Sequence, residues 1–421
     1  MNSLREMKAD SASDASRAEA LREEMIGKLW EMGAIRSDRV AEVFRAVDRR
    51  WYTLDTPLEE VYDPMGAVHV KWDEHGVPVS TVSSPQLQAG MLEQADIRPG
   101  MNVLEIGSGG VNAAMMSWLA GPGGTTTTVD IDPDVTDRAR SLLDQTGYSG
   151  VNVVTADAEN GVPTHAPYDR IIVTVGAWDI PPAWLDQLAP EGCIVVPLRM
   201  RGLTRSLALE RTGDHLESQS ADVCGFVKMQ GAGANAEQLL SLRDEKVLVR
   251  FDDGWPGDQP PKLDGVLDTS RVDVWSGVTI AGTESFDTLQ LWLATVFTGF
   301  GRLAAEASQK EALVDPDVMW FDPTAVQDDS VAYLTARRAG PGVSEFGVHA
   351  FGPHAGVLAE AMAEQVRVWG HDQRHGPGPA FAVWPKDAPA ERLPEGLVID
   401  KRHCRVTVSW PTANTAEDQG N

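Results

Sequence analysis

The residues best suited to chemistry sit in one short stretch and at two acids downstream of it. Residues 102–110 read NVLEIGSGG, an apolar run that opens into Gly107, Ser108, Gly109 and Gly110 and continues into the helical pattern NAAMMSWLA. Glycines at such a turn let the backbone approach a ligand, and the first amides of the following helix can receive a carboxylate or a phosphate. Asp130 ends the next apolar run, about 20 residues beyond the loop, where an acid accepts hydrogen bonds from both hydroxyls of a ribose. Asp157 and Ala158 end a third run, VNVVTADA, in position to meet an adenine edge. A glycine loop and two strand-end acids together describe an adenosine pocket, with Asn112, Ile131 and Val175 as its nearest neighbours. The plainer reading of the acids is helix capping, which Asp after a strand often does.

Such a pocket needs parallel strands to carry it. The runs NVLEI, TTTTVDID, VNVVTADA, YDRIIVTVG and CIVVPL alternate with segments of helical length. That order implies an α/β fold, Rossmann-like, with a doubly wound and mostly parallel sheet that binds ligands at the carboxyl ends of its strands. Two amphipathic helices precede it: Leu21, Met25, Ile26, Leu29 and Trp30 share one face. Val40, Val43, Phe44 and Val47 share another, behind Ser37 as N-cap. Residues 1–16 read as a flexible lead-in, and 62–84 as an irregular stretch punctuated by Pro64, Gly66, Gly76 and Pro78. The pattern changes after about Ser220. Division into 1–16, 17–219 and 220–421 is expected, the last an α+β domain. MQGAGANAEQ reads as a linker and helix start. Leu289, Trp292, Leu293, Val296 and Phe297 form one apolar helix face, SVAYLTAR, FAVWP and CRVTVSWP read as strands, and a helix spans about His354 to Trp369.

The loop is not the GxGxxG of a dinucleotide fold. Glu105, two residues before Gly107, suits a loop facing the amino-acid end of S-adenosyl-L-methionine, whose spent form is S-adenosyl-L-homocysteine. Composition narrows the partners. With 36 Lys plus Arg against 62 Asp plus Glu, the net charge is −26, which disfavours nucleic acid and anionic membrane as partners. Three scattered cysteines offer neither a disulfide framework nor a CxxC site, and Cys193 lies in an apolar strand. Neither a signal peptide nor an apolar span is visible, so a cytoplasmic protein is expected. No metal is expected, because His371 with His375 and His349 with His354 lie among Gly and Pro without a completing cysteine or carboxylate. Oligomeric state is left open.

Three blocks, LREEMIGKLWEMGAIRSDRVAEVFRAVDRRWY, TVSSPQLQAGMLEQADIRPGMNVLEIGSGG and APYDRIIVTVGAWDIPPAWLDQLAPEGCIVVPL, together with their spacing, resemble the protein-L-isoaspartate O-methyltransferases. The resemblance covers roughly Leu21 to Arg211. It implies transfer of a methyl group from S-adenosylmethionine to an aspartyl or isoaspartyl carboxylate, after which the ester collapses to a succinimide. It also implies that Ser83, in TVSSP, lies over that carboxylate and that Ile180 and Pro181 belong to a substrate loop. The chain departs from the family around the ligand and substrate mouth. Gln86 stands for a histidine, the glycine loop is one residue shorter, the stretch before Ser80 is longer, and Trp178 replaces a small residue or proline. With the added C-terminal half, these departures resemble the actinobacterial branch that modifies ribosomally made peptides such as lanthipeptides, lasso peptides and crosslinked graspetides. A modified precursor peptide is then the expected partner, methylated at an aspartate.

A carboxylate is ionised at neutral pH, its ordinary pKa being about 3.9, so attack on a sulfonium methyl needs no general base. Alignment and exclusion of water carry such a reaction. Neutral donors that orient the carboxylate are therefore the expected catalytic residues: Ser83, Ser84 and Gln86, with Trp178 as a roof. The C-terminal domain is expected to recognise the peptide by a groove or strand edge. General repair of isoaspartyl proteins and a noncatalytic binding module are the competing readings.

Overall fold

The computed structural model describes residues 12–53, 55–255, 257, 259–314 and 322–411. The chain forms two compact units, one of residues 1–198 and 204–234, the other of 199–203 and 235–421.

The first unit opens on helix α1 (Ala12–Glu31), so the lead-in expected over 1–16 is helical from Ala12 on, and residues 1–11 lie outside the described residues. Ser37 caps α2 (Asp38–Ala46) by accepting from the Val40 amide. A 3-10 turn (Arg49–Tyr52) and a short α3 (Leu58–Val61) follow. The stretch expected to be irregular contains an antiparallel hairpin, β1 (Val68–Trp72) and β2 (Pro78–Val82). Its turn is built locally: Asp73 accepts from the amides of His75 and Val77 at 2.9 and 2.8 Å, and Gly76 takes a φ of +76°. Such an Asx turn joins the alternating runs VHVKW and PVSTV without a long apolar segment on either side. That is why the hairpin was hard to see.

Helix α4 (Pro85–Ala95) leads into β3 (Asn102–Ile106), α5 (Val111–Ala120), β4 (Thr125–Asp130), α6 (Pro133–Gln145), β5 (Asn152–Thr155), β6 (Tyr168–Val173) and α7 (Pro182–Gln187). Strands β7 (Leu188–Met200), β8 (Leu203–Thr212) and β9 (His215–Val223) complete the series. Neighbours in the sheet run β9-β8-β7-β6-β3-β4-β5. The pairs β3–β4, β3–β6, β4–β5 and β6–β7 are parallel, and β8–β9 is antiparallel. The chain order reverses between β3 and β6, the switch point at which such sheets open a crevice. Helix α5 buries Val111 through Met116 as well as Leu119 and Ala120, so it reads as uniformly apolar. Its core is shared with Met25, Leu29, Val43, Phe44, Met91 and Leu92 from α1, α2 and α4. Each such side chain contributes about 1.5–3 kcal/mol on full burial.

In the second unit the strands β10 (Gln238–Arg243), β11 (Val247–Phe251), β12 (Val272–Ala281), β13 (Phe300–Ala305), β14 (Pro323–Gln327), β15 (Ser330–Gly340) and β16 (Val343–Phe351) form one sheet. Its order is β10-β11-β13-β14-β15-β16-β12. Helices α8 (Asp287–Val296), α9 (Ala307–Leu313) and α10 (Ala355–Val368), with α10 against β12 and β16, complete the layer. Strands β17 (Ala380–Pro385), β18 (Leu397–Asp400) and β19 (Cys404–Ser409) pair in the order β18-β19-β17. The helix expected to start in MQGAGANAEQ is instead the strand β10: Leu240 and Leu242 point to the core while Leu239 is 56% exposed, a period of two that outweighs the helical propensity of Ala, Glu and Leu. On α8, Leu289 and Leu293 are buried as expected, but Val296 is 37% exposed and Trp292 packs edge-on against Trp410. Residues 199–203 belong to this unit through a buried knot. Arg199 pairs with Asp252, while the Lys401 ammonium donates to the Arg199 carbonyl at 2.9 Å and to Asp253 at 2.5 Å.

Among the described residues, no helix is long and apolar enough to cross a membrane. None of their His, Cys, Asp and Glu side chains gather into a group that could hold a metal ion.

Candidate active site

The turn after β3 is shaped by what surrounds it. Gly107 has a φ of +95°, and a Cβ there would lie 2.7 Å from the Thr174 hydroxyl. No side chain fits. Gly110, at a φ of +86°, starts α5 without a side-chain cap, so the helix's first amides keep their capacity to donate. A Cβ at Gly109 would meet nothing within 4 Å: the loop faces open space there rather than protein.

Two clefts flank this turn. The first is lined by Val79, Ile106, Gly107, Val129 to Asp132, Val135, Asp157, Ala158, Val175 and Lys228 to Gln230, with about 500 Å³ of open space including its mouth. The second is lined by Thr81, Val82, Ser83, Gln88, Met91, Glu105, Gly109, Val111, Asn112, Thr174 and Phe226, with about 340 Å³. Adjacent residues of β2, of the β3 turn and of the segment after β6 line one or the other, so the two lie side by side.

Glu105 is 1% exposed. Its Oε2 accepts from the Thr128 hydroxyl at 2.6 Å, and its Oε1 is buried without a hydrogen-bond partner. Burial pushes its pKa up to about 7, against the pull of Thr128 and Asn112. A buried carboxylate with an incompletely satisfied oxygen, in a cleft that Gly109 also lines, suits an ammonium group. Asp130, at the end of β4, accepts from the Ser108 amide at 3.0 Å and the Asp132 amide at 2.9 Å. Burial still holds it above the usual carboxylate range. The Ser108 hydroxyl is buried and unpartnered as well. These features fit S-adenosylmethionine: Glu105 and Asn112 lie on one side of the turn, and Asp130 and Ile131 on the other.

Asp157 differs from expectation in part. Its Oδ1 caps the following turn through the Glu159 amide at 3.0 Å, and its Oδ2 accepts from the Ala232 amide at 2.8 Å. The segment read as a linker, with the three residues before it, returns here: Gly176 donates to the Val227 carbonyl at 2.7 Å and Met229 to the Gly176 carbonyl at 3.1 Å. It thus supplies Phe226, Lys228, Met229 and Gln230 to the clefts. A Cβ at Gly231 would lie 2.4 Å from Asp157 Oδ2. Nothing in the composition of MQGAGANAEQ signals that return except its glycines.

On the acceptor side, Ser83 lines the second cleft, and Ser84 is 5% exposed at the start of α4. Gln86 does not join them. It lines a separate cavity with Met32, Arg36 and Gln94, because α4 turns that side chain away from Ser83. Gln88, overlooked in the sequence, takes the position beside Ser83. Trp178, Ile180 and Pro181 line neither cleft: Ile180 is 1% exposed and Pro181 is buried ahead of α7. Arg49 was overlooked too. It is 1% exposed, donating to Gln88 Oε1 at 2.9 Å and to the Ser83 carbonyl at 3.0 Å. The signal for Gln88 was a polar residue in the buried stripe Pro85, Ala89 and Leu92.

Residues 20–234 match the family of protein-L-isoaspartate(D-aspartate) O-methyltransferases. Over 216 residues the chain is 36% identical to the protein-L-isoaspartate O-methyltransferase of Methanopyrus kandleri, covering 50% of this chain and 91% of the relative. Over 237 residues it is 32% identical to that of Thermotoga maritima, covering 55% and 71%. A solved structure titled protein-L-isoaspartate O-methyltransferase aligns with 86% of this chain and 96% of its own at 21% identity and a TM-score of 0.47. A Plasmodium falciparum structure, a putative member of that family in complex with S-adenosyl-L-homocysteine, aligns with 50% and 98% at 18% identity and a TM-score of 0.43. The chain belongs to the protein-L-isoaspartate O-methyltransferase family, the S-adenosylmethionine-dependent carboxyl methyltransferases.

Proposed function

We propose that this protein methylates the free carboxylate of isoaspartyl residues in peptides and proteins. The observation that carries the proposal is the pairing of the two clefts. One has the turn and strand-end acid of a cofactor site. The other is lined by Ser83, Thr81 and Gln88 and also by Glu105 and Asn112, so the acceptor and the amino-acid end of the cofactor share it. S-adenosylmethionine supplies an electrophilic methyl: a lone pair of the acceptor oxygen forms the new C–O bond while the C–S electron pair stays on sulfur, leaving the ester and S-adenosylhomocysteine. The protein's own residues need neither abstract nor donate a proton, since the acceptor is already ionised at neutral pH. Their work is to orient one carboxylate oxygen and exclude water, and orientation of this kind is worth up to roughly 7–11 kcal/mol.

The names of the relatives favour isoaspartyl acceptors over the narrower expectation of a dedicated precursor peptide. That second reading keeps one observation in its favour: the second unit, most of which lies beyond the family match. The test is methyl transfer to a short peptide holding one isoaspartate, against the same peptide with ordinary aspartate. Faster methylation of the isoaspartyl peptide is expected. Equal or absent transfer to both, with turnover of a crosslinked peptide, would favour the second reading.

A further inference from the structure

We infer that Gln88, oriented by Arg49, is the donor that holds the acceptor carboxylate, an assignment that rests on the proposed reaction. Arg49 is an unusual residue to find in a core. Among the described residues no carboxylate lies within ion-pair distance of it. Its neighbour Asp48 is engaged by Arg50 at 2.8 Å, by Arg22 at 3.5 Å and by the Tyr62 hydroxyl at 2.6 Å. Burial lowers the Arg49 pKa to about 10, which leaves it a cation at neutral pH. A buried cation without a counter-ion is costly unless something compensates it.

Its two hydrogen bonds show what it does. A guanidinium only donates, so Gln88 must turn its carbonyl oxygen to Arg49, and the amide NH₂ is the group left for the cleft that Gln88 lines. The second bond pins the Ser83 carbonyl, and because a trans peptide points its N–H opposite to its C=O, it also fixes the direction of the Ser84 amide. One cation thus sets two elements of the acceptor wall, and the carboxylate that the reaction brings supplies the missing negative charge nearby. Gln88 is the residue that meets the substrate. Arg49 acts through it and is a positioning residue.

The test is steady-state methylation of an isoaspartyl peptide by the full chain, alongside calorimetric binding of S-adenosylhomocysteine and thermal unfolding. Gln88→Met keeps the volume and removes the donor. A hydrogen bond to a charged group is worth enough that KM for the peptide should rise about 10- to 100-fold, with product affinity unchanged. Gln88→Glu gives Arg49 a buried partner, so the fold should melt at a higher temperature while KM rises further, because a carboxylate now faces a carboxylate. Arg49→Lys retains a cation but loses the two-pronged geometry, so an intermediate KM is expected. A merely structural role for Gln88 forecasts the same gain in stability for Gln88→Glu but an unchanged KM. Wild-type KM in either Gln88 variant, with the wild-type protein active, overturns the inference alone. If Gln88→Glu does not bind product, Gln88→Met decides. An inactive wild-type protein sinks the proposed reaction and this assignment with it.

Discussion

Glu105 concentrates the site's electrostatics in one side chain. Burial raises its pKa to about 7, so its stabilising protonated form is fully present below the unfolded value. That contribution is lost as pH rises toward and through about 7. Binding runs the other way, since an ammonium partner requires the ionised form. Affinity for S-adenosylhomocysteine should therefore be about tenfold weaker near pH 6 than near pH 8, and Glu105→Gln should bind weakly with little dependence on pH over that range. Calorimetry across the range checks both. A wild-type affinity that is flat with pH would remove Glu105 from the cofactor's amino end. At this scale the sequence was legible where chemistry shows in residue order: Glu105, Gly107 and Asp130 follow one another along strand ends. It was less legible where a role depends on which way a helix turns. Gln86 and Gln88 both sit on α4 two positions apart, a spacing that places them on different faces of a helix, and only the fold separates them.

The segment from Phe226 to Ala232 is the element that composition hid most completely. Its end overlaps MQGAGANAEQ, which read as a linker, yet Gly231 is required by close packing: its φ is +71° and the Asp157 carboxylate leaves no room for a Cβ. Gly231→Val should lift this segment from Asp157, weakening product binding by at least about tenfold, since left-handed backbone alone costs a β-branched residue on the order of 1–2 kcal/mol. The melting temperature should move little, because the segment adds few side chains to the core. Unchanged product affinity would show that the segment is not a wall of the site. Strands β3 and β6 were readable because buried parallel strands are continuous apolar runs, and β4 (TTTTVD) and β5 (NVVT) because β-branched Thr and Val favour strands. β10 was not, because Ala, Glu and Leu favour a helix until a neighbouring strand offers a ladder. The same return moves the division between the units to 234 and 235, rather than 219 and 220.

For the molecule as a whole, a net charge of −26 repels an acidic substrate, and screening confines attraction to about 10 Å. Recognition of a carboxylate must then be local, which is what a buried cation behind neutral donors provides. The presence of two units was legible in outline, since the family resemblance stopped near the end of the first while the second carried no motif. Single-turnover methyl transfer to an isoaspartyl peptide, followed by mass spectrometry for wild-type protein and Gly107→Val side by side, tests the account most directly. The wild type is expected to add one methyl group to the isoaspartyl peptide and none to its aspartyl isomer. The variant, whose side chain would occupy the space held by Thr174, is expected to add none while its second unit stays folded. Equal transfer by both proteins, or equal transfer to both isomers, would contradict it.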